Sequence, residues 1–557
     1  MEVTRRGLLG LAGTAGALAA SGPLRAAQTG ASGRYAPVID RVRAFAQADL
    51  AATGFPGMVL TLIAPDGFEH AMAVGLANAD TRQPASAGQL FQIGSITKSL
   101  TALALFALAD RGKIDLDARA ADILPDHPLP AEPITIAHLL EHSSGLPNSL
   151  GDDPFPNVPG GRLWTGFAPG SRYSYCNLGY NLLGAAIARA SGMSYPDALT
   201  RLVLRPLGMN HALPSIRTAD RARYATGHAR FRDDLPWLPG AKLAPRWYEF
   251  ENGGGSVAAT ASDMARYLRF LATLAQGKGA PLFSDALAAR FRRATIDVLG
   301  RTAGARYGNG LVTHDVDGGA CFHHTGGLPG FTAAFTLDQA SGVGAYASVN
   351  AGGMPYRPTE ITDYAVSLLR AALAGRPLPP ERGPTGPAPI KDAARFLGRW
   401  FGPEGAALVV VERSGGLAVS AGGVTRPLLG AGKVLTTDHP ALYPYALAFD
   451  ASRPLMRLGA KLFGRDSAPT QPAPDPRLAL LAGNYLSSSS WSPRRDVVAL
   501  GKQLFVGLDE VTEASDGSWR FVDPAGASER FWFQHPVAGR PQRLSHSGIA
   551  YARVAAA

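Results

Sequence analysis

Cysteine is scarce: Cys176 and Cys321 are the only thiols in 557 residues. That excludes a disulfide-stapled scaffold, which needs several bridges; two buried thiols or a single pair both remain open. Lysine is nearly as rare, with eight in the chain, and charged residues of all kinds reach only 18%. The 54 Lys and Arg against 44 Asp and Glu leave a net charge of +10. No dense basic tract and no interleaving of aromatic with basic residues accompanies that charge, which argues against a nucleic-acid partner. Repeat-like bias is absent and 46% of the residues are hydrophobic, the composition of a globular protein. Beyond the first twenty or so residues no apolar run has the length of a membrane span. The chain is too long for one domain and predicts roughly two to four.

What is present begins at the first residues. Thr4-Arg5-Arg6-Gly7-Leu8-Leu9 opens an apolar, Ala/Gly-rich run through Ala20, with small-residue cleavage candidates at Ala19 and Ala27. A charged start, a short apolar stretch and small residues describe a secretory signal. The paired arginines fit the twin-arginine type. Residues 1–27 therefore read as a signal peptide and the protein as exported to a bacterial periplasm. Without Glu2, Arg5, Arg6 and Arg25 the remaining charge is about +8, and a mildly basic exported protein is expected to contact anionic envelope polymer.

After the leader, Tyr35–Ala52 reads as an amphipathic helix, and Met58–Ile63 with Ala71–Val74 as a β-hairpin about Pro65-Asp66-Gly67. Ser95–Asp110 is a strongly apolar helix stopped near Gly112. A helical middle follows, clearest at Ala137–His142, Leu178–Ala190, Tyr195–Leu204 and Ser262–Ala275. Strand character returns at Cys321–Thr325, Thr332–Leu337 and Gly344–Val349, with a turn at Asp338–Gly342. Strands at both ends and helices between predict an α/β protein of the α+β type: a mixed sheet packed on helices, with a helical subdomain inserted.

Two Pro/Gly-rich stretches, 376–389 and 467–476, read as linkers. They delimit two β-patterned modules, 390–465 and 477–557, that resemble each other. Phe396-Leu397-Gly398-Arg399-Trp400 echoes Leu481-Ala482-Gly483-Asn484-Tyr485, and Gly416-Leu417-Ala418-Val419 echoes Gln503-Leu504-Phe505-Val506. A divergent duplication of a small barrel-like module accounts for both.

Three separated elements carry chemistry. In Ser95-Ile96-Thr97-Lys98 the serine and lysine share a helix face, so the amine can approach the hydroxyl. A serine at a helix start meets unpaired N–H groups that favour developing negative charge, and a partly desolvated lysine can take its proton. Alone the pair says little, since with eight lysines about 0.5 such pairs arise by chance. In Tyr175-Cys176-Asn177, a phenol near a lysine can shuttle protons, and the Asn177 amide can hold Lys98 and a substrate carbonyl. His324-Thr325-Gly326-Gly327 is a strand ending in glycines, which brings backbone N–H groups close to a bound carbonyl. The Ser95 and Gly327 N–H groups could together form an oxyanion hole.

The order S-x-x-K, Y-x-N, H-x-G resembles the serine β-lactamase and penicillin-binding-protein superfamily, and most of all the branch of class C β-lactamases, related esterases and D-aminopeptidases. Phe91-Gln92-Ile93-Gly94, the stretch Ile134 to Pro147, Asn252-Gly253-Gly254-Gly255-Ser256 and Thr260-Ala261-Ser262-Asp263-Met264-Ala265 add to the likeness, which covers residues 35–372. It implies an antiparallel sheet flanked by helices and an acyl-enzyme on Ser95. Lys98 and Tyr175 would share base and acid roles. Asn177, His324, Thr325 and Gly326 would bind substrate, Ser95 and Gly327 would form the oxyanion hole, and no metal or cofactor takes part. Many relatives have Lys-Thr-Gly where this chain has His324-Thr325-Gly326. A histidine is mostly neutral at neutral pH, so recognition of a substrate carboxylate is weakened. The expected substrate is a small ester or a peptide-like amide, as for esterases and D-aminopeptidases of the group, which commonly carry histidine there. The paired β modules also resemble the extra barrels of D-aminopeptidases. The alternatives are a β-lactamase or D,D-carboxypeptidase, and, in another class, a non-catalytic protein that binds envelope polymer.

One motif competes. His138-Leu139-Leu140-Glu141-His142 fits H-x-x-E-H, in which two imidazoles one helical turn apart share zinc. The ordinary reading is a helix before the Ser-Gly-Leu-Pro turn. His323 and His324, as strand neighbours, should point to opposite faces.

Overall fold

The computed structural model describes residues 24–148, 161–230, 242–243, 247–298, 304–352, 358–385, 390, 392–413, 416–431, 434–437, 439–442, 446–450, 453–488, 494–523 and 526–554. Residues 1–23 of the predicted leader 1–27 lie outside the described residues, as do residues 386–389 of the first linker.

The main body is a nine-stranded sheet. Its spatial order is Gln83–Pro84, Glu69–Asn78, Gly57–Ile63, Gly344–Val349, Phe331–Asp338, Gly319–Leu328, Leu311–Val316, Arg306–Gly308 and Ile296–Asp297. Every pairing is antiparallel, as the family likeness implies, which corrects the mixed sheet expected from element order alone. The reason is local. Short turns join successive strands from Leu311 to Val349, and a parallel pair would need a long crossover. In one such turn, Asp338 accepts from Ser341 N through its side chain and from Gly342 N through its carbonyl. The last of these strands, Gly344–Val349, pairs with the N-terminal strand Gly57–Ile63, Met58 opposite Val349.

Both faces are covered, so Gly57–Ile63 and Gly344–Val349 are buried along their whole length. On one face lie the helices Leu24–Thr53 and Pro358–Leu373, which supply Val38, Val42, Phe45, Ile361, Tyr364 and Leu368 to the core. On the other lie Ala261–Ala275 and the helical subdomain. The first helix starts well before the predicted Tyr35. Among the described residues no helix is long and apolar enough to cross a membrane.

The helix predicted at Ser95 begins two residues later. Gly94–Ile96 is a 3-10 turn and Thr97–Asp110 the α-helix, buried on all sides from Thr97 through Leu108. A helix apolar all round belongs inside a protein, and this one carries Lys98 inward with it. The predicted helix Ala137–His142 runs only from Ile136 to Leu140. His142 has φ +58 and leaves the helical path.

The C-terminal part folds into two closed eight-stranded antiparallel barrels, from Gly398 to Gly464 and from Gly483 to Val554. The paired motifs occupy equivalent places. Gly398–Phe401 and Gly483–Leu486 are the first strands, Gly416–Ala421 and Gln503–Val506 the third. Trp400 Nε1 donates to Phe396 O and Tyr485 OH to Leu481 O, each reaching back four residues. Arg465 lies over the first ring and Arg553 over the second. Equivalent strand, hydrogen bond and cation support a common origin for the two modules.

Candidate active site

Ser95 stands where three layers meet. The short strand Phe91–Gln92, paired with Ala258–Ala259, delivers the chain to the 3-10 turn. The strand Gly319–Leu328 passes so close behind it that a Cβ on Gly326 would run into Ile93 O and lie 3.2 Å from Ser95 N. Only glycine permits that approach, and it lays the Gly326–Gly327 backbone beside the Ser95 amide. Tyr175 and Asn177 come from the start of the helix Asn177–Ser191, whose N-cap is Cys176.

The Ser95 hydroxyl is contacted from two sides. Tyr175 OH donates to Ser95 Oγ at 2.7 Å, and Lys98 Nζ lies 3.0 Å from the same oxygen. Lys98 also donates to Asn177 Oδ1 at 2.8 Å and to Gly254 O at 2.7 Å. Its side chain is completely buried, and burial pulls the amine down to about 7, against a small opposing effect of Cys176. Among the described residues no carboxylate forms an ion pair with it. A neutral amine has two N–H bonds and one lone pair. With both N–H bonds directed at Asn177 Oδ1 and Gly254 O, which only accept, the lone pair faces Ser95.

Aromatic rings enclose the amine. Tyr175 and Tyr180 lie 4.9 and 5.5 Å from it, centroid to nitrogen. Behind them His142 packs against Tyr175, Tyr180 and Tyr307 at 4.4 to 5.0 Å, and its Nδ1 accepts from Cys176 N. Burial raises the Tyr180 and Tyr307 phenols far above their usual range and pushes the Cys176 thiol up to about 12. These groups stay neutral and leave a dry wall around Lys98.

A protein-family model described as Beta-lactamase matches residues 42–368, more than half of the chain and the whole of this arrangement. The protein belongs to that family. It is a β-lactamase-family serine hydrolase. It is 30% identical to a penicillin-binding protein 4 of Amycolatopsis lactamdurans, over 62% of this chain and 93% of that protein. It is 31% identical to esterase EstB of Burkholderia gladioli, over 44% of this chain and 71% of that one. In fold it resembles an octameric penicillin-binding protein homologue from Pyrococcus abyssi, with a TM-score of 0.55 at 23% identity, covering 76% of this chain and 99% of the other.

The structure of this β-lactamase-family protein brings Ser95, Lys98, Tyr175 and Asn177 into direct contact and lays Gly326 and Gly327 beside Ser95. His324 is buried, only 3% exposed. Its Nδ1 faces Thr325 O at 2.6 Å and its Nε2 faces Tyr307 OH at 3.2 Å. Because a carbonyl only accepts, Nδ1 carries a proton toward Thr325 O, while the Tyr307 hydroxyl can meet Nε2 as donor or acceptor. Thr325 enters this local network through its carbonyl.

The H-x-x-E-H pattern does not assemble. His138 Nδ1 accepts from Thr135 N in a capping box, and His142 lies beyond the helix end on Cys176. Cys176 and Cys321 are both free and buried. His323 and His324 do face opposite ways. His323 packs on His314, and among the described residues these two with Asp363 form the group whose donor atoms, all within 4.8 Å, could approach one metal ion. Burial, with His314 beside it, lowers His323 to about 3. The group sits on the sheet face away from His324.

Reading the motifs missed four contributors. Gly254 acts through a carbonyl and has no side chain to betray it; the glycine run 252–256 was the available signal. Asn148, whose Oδ1 accepts from Asn177 N and Nδ2 at 2.9 and 3.0 Å, stands just after the Ser-Gly-Leu-Pro turn. Tyr180 and Tyr307 carry no motif of their own.

Proposed function

We propose that this protein cleaves ester or amide bonds through an acyl-enzyme on Ser95. The observation that carries the reading is the double contact on Ser95 Oγ, from a phenol and from a buried lysine able to lose its proton near neutral pH. Ser95 Oγ attacks the substrate carbonyl carbon while its proton passes to the lone pair of Lys98, directly or by way of Tyr175. The resulting oxyanion is held by the Ser95 and Gly327 N–H groups. Collapse breaks the bond to the alcohol or amine leaving group, which takes a proton from Tyr175, itself reprotonated by Lys98. Water then attacks the acyl ester and gives up its proton by the same route, restoring Ser95. Asn177 fixes Lys98 and accepts or donates to the substrate amide or ester.

The substrate class is a small ester or a D-amino-acid-containing amide. A histidine at position 324, which is not a permanent cation, supports that choice over substrates recognised by a carboxylate, as does the likeness to an esterase. Export to the periplasm through the leader is part of the same proposal. Fractionation of cells carrying a C-terminally tagged protein, with N-terminal sequencing, tests it.

The deciding experiment pairs fluorophosphonate labelling with a hydrolysis panel: p-nitrophenyl esters, D-aminoacyl p-nitroanilides and a chromogenic cephalosporin. Label on Ser95 and turnover of the first or second class are expected, with both lost in Ser95→Ala. Full activity in Ser95→Ala overturns the mechanism, and turnover of the cephalosporin alone overturns the substrate class.

A further inference from the structure

Among the described residues, the second barrel meets the catalytic domain through the stretch from Ser528 to Trp532. Trp164 Nε1 donates to Ser528 O at 2.8 Å, and the Trp164 and Trp532 rings meet edge to face at 5.1 Å. The Arg530 guanidinium lies 4.6 Å from the Trp164 ring centroid. Backbone meets backbone at Gly166, where a Cβ would fall 2.5 Å from Ser528 N. Between these contacts, Glu529 reaches the segment that borders Ser95. Its Oε1 accepts from Asn148 N at 2.8 Å, while Oε2 accepts from Ser547 Oγ at 2.5 Å and lies 3.2 Å from His546 Nε2.

From Glu529 a continuous chain of hydrogen bonds runs to the buried lysine. The carboxylate holds the Asn148 backbone; Asn148 Oδ1 accepts from the backbone N and from Nδ2 of Asn177; Asn177 Oδ1 accepts from Lys98. Asn148 also sets the sense of the Asn177 amide. With Nδ2 engaged by an acceptor, only Oδ1 is left to face the amine.

We propose that Glu529 is a positioning residue for the Ser95–Lys98 centre, acting through Asn148 and Asn177, so that the second barrel is a working part of the active site. The proposal rests on the acyl-enzyme reading above. A partly buried carboxylate, 18% exposed and itself fixed by two partners, is a rigid anchor, and rigid outer contacts are what keep reacting groups within tenths of an ångström of the productive geometry.

The test compares Glu529→Ala, Glu529→Gln and Asn148→Ala in the full-length enzyme on a p-nitrophenyl ester. Glu529→Ala and Asn148→Ala are expected to lower kcat roughly 10- to 100-fold, with KM changed far less. The acidic limb of the kcat/KM profile should also move to lower pH. Lys98 is faced, among the described titratable groups, by Tyr175, Tyr180 and Cys176. Loosening Asn177 Oδ1 removes one of the two carbonyls that favour its ammonium form, so the amine titrates lower. Glu529→Gln keeps an oxygen for the Asn148 N–H and should restore most of kcat. A merely structural barrel contact would not move the limb. The proposal is overturned if folded Glu529→Ala keeps the wild-type limb and kcat, or if Glu529→Gln is as damaged as Glu529→Ala. Should Glu529→Ala fail to fold, Asn148→Ala decides by the same two readouts. Failure of the acyl-enzyme reading appears separately, as activity surviving Ser95→Ala.

Discussion

Lys98 Nζ donates to the Gly254 carbonyl at 2.7 Å, across 156 positions of sequence. That contact, with the one to Asn177, aims the amine, and burial brings it to about 7. The base must be unprotonated to accept from Ser95. Activity therefore rises as pH passes upward through about 7 and is lost below it. A kcat/KM profile on an uncharged ester should show this acidic limb. Lys98→Arg, which cannot give up its proton, should lose about 10³-fold at every pH. A limb near the usual carboxylate range would assign the base elsewhere.

Tyr175→Phe removes the hydroxyl 2.7 Å from Ser95 Oγ while keeping the ring that packs on His142. The expected loss is about 10²-fold in kcat with an unchanged melting temperature. The loss should be greater for p-nitroanilides than for p-nitrophenyl esters, because an amine leaving group needs the proton more. Equal losses on both would remove Tyr175 as the acid.

Gly326→Ala places a methyl group against Ile93 O and Ser95 N. The turn bearing Ser95 has to shift from the strand, at a cost of about 1–3 kcal/mol in stability. Acylation should fall by roughly 10- to 100-fold. Urea unfolding and the rate of fluorophosphonate labelling measure the two effects.

His324→Lys puts a permanent cation where a buried imidazole meets Tyr307. The ratio of kcat/KM for a carboxylate-bearing ester over its neutral analogue should rise at least about tenfold, the worth of one charge-assisted hydrogen bond. The free enzyme should melt lower, because an ammonium is desolvated there. An unchanged substrate ranking would show that this position does not read the carboxylate.

Local pattern carried much of the fold. The hairpin at Pro65-Asp66-Gly67 was legible because apolar alternation and turn residues act over a few positions, and Met58 to Ile63 do pair with Val74 to Glu69. The barrel motifs were legible as a repeat. Strand pattern did not show that Gly57–Ile63 pairs with Gly344–Val349, since that pairing joins segments remote in sequence. The early end of the helix at Leu140 was hidden too: His142 takes a positive φ to reach Cys176 N, a residue 34 positions on.

By itself the sequence determined that Ser95 and Lys98 share a face, that Tyr175, Asn177 and Gly327 are candidates to join them, and that His324 is no permanent cation. These follow from residue type, spacing and order. Only the tertiary structure decided that Lys98 is buried and aimed, that Gly254 and Asn148 complete its surroundings, and that Glu529 of the second barrel anchors them. Burial and hydrogen-bond direction belong to groups brought together from remote positions. A motif names the reacting atoms, but the enclosure that tunes them exists only once the chain has folded around them.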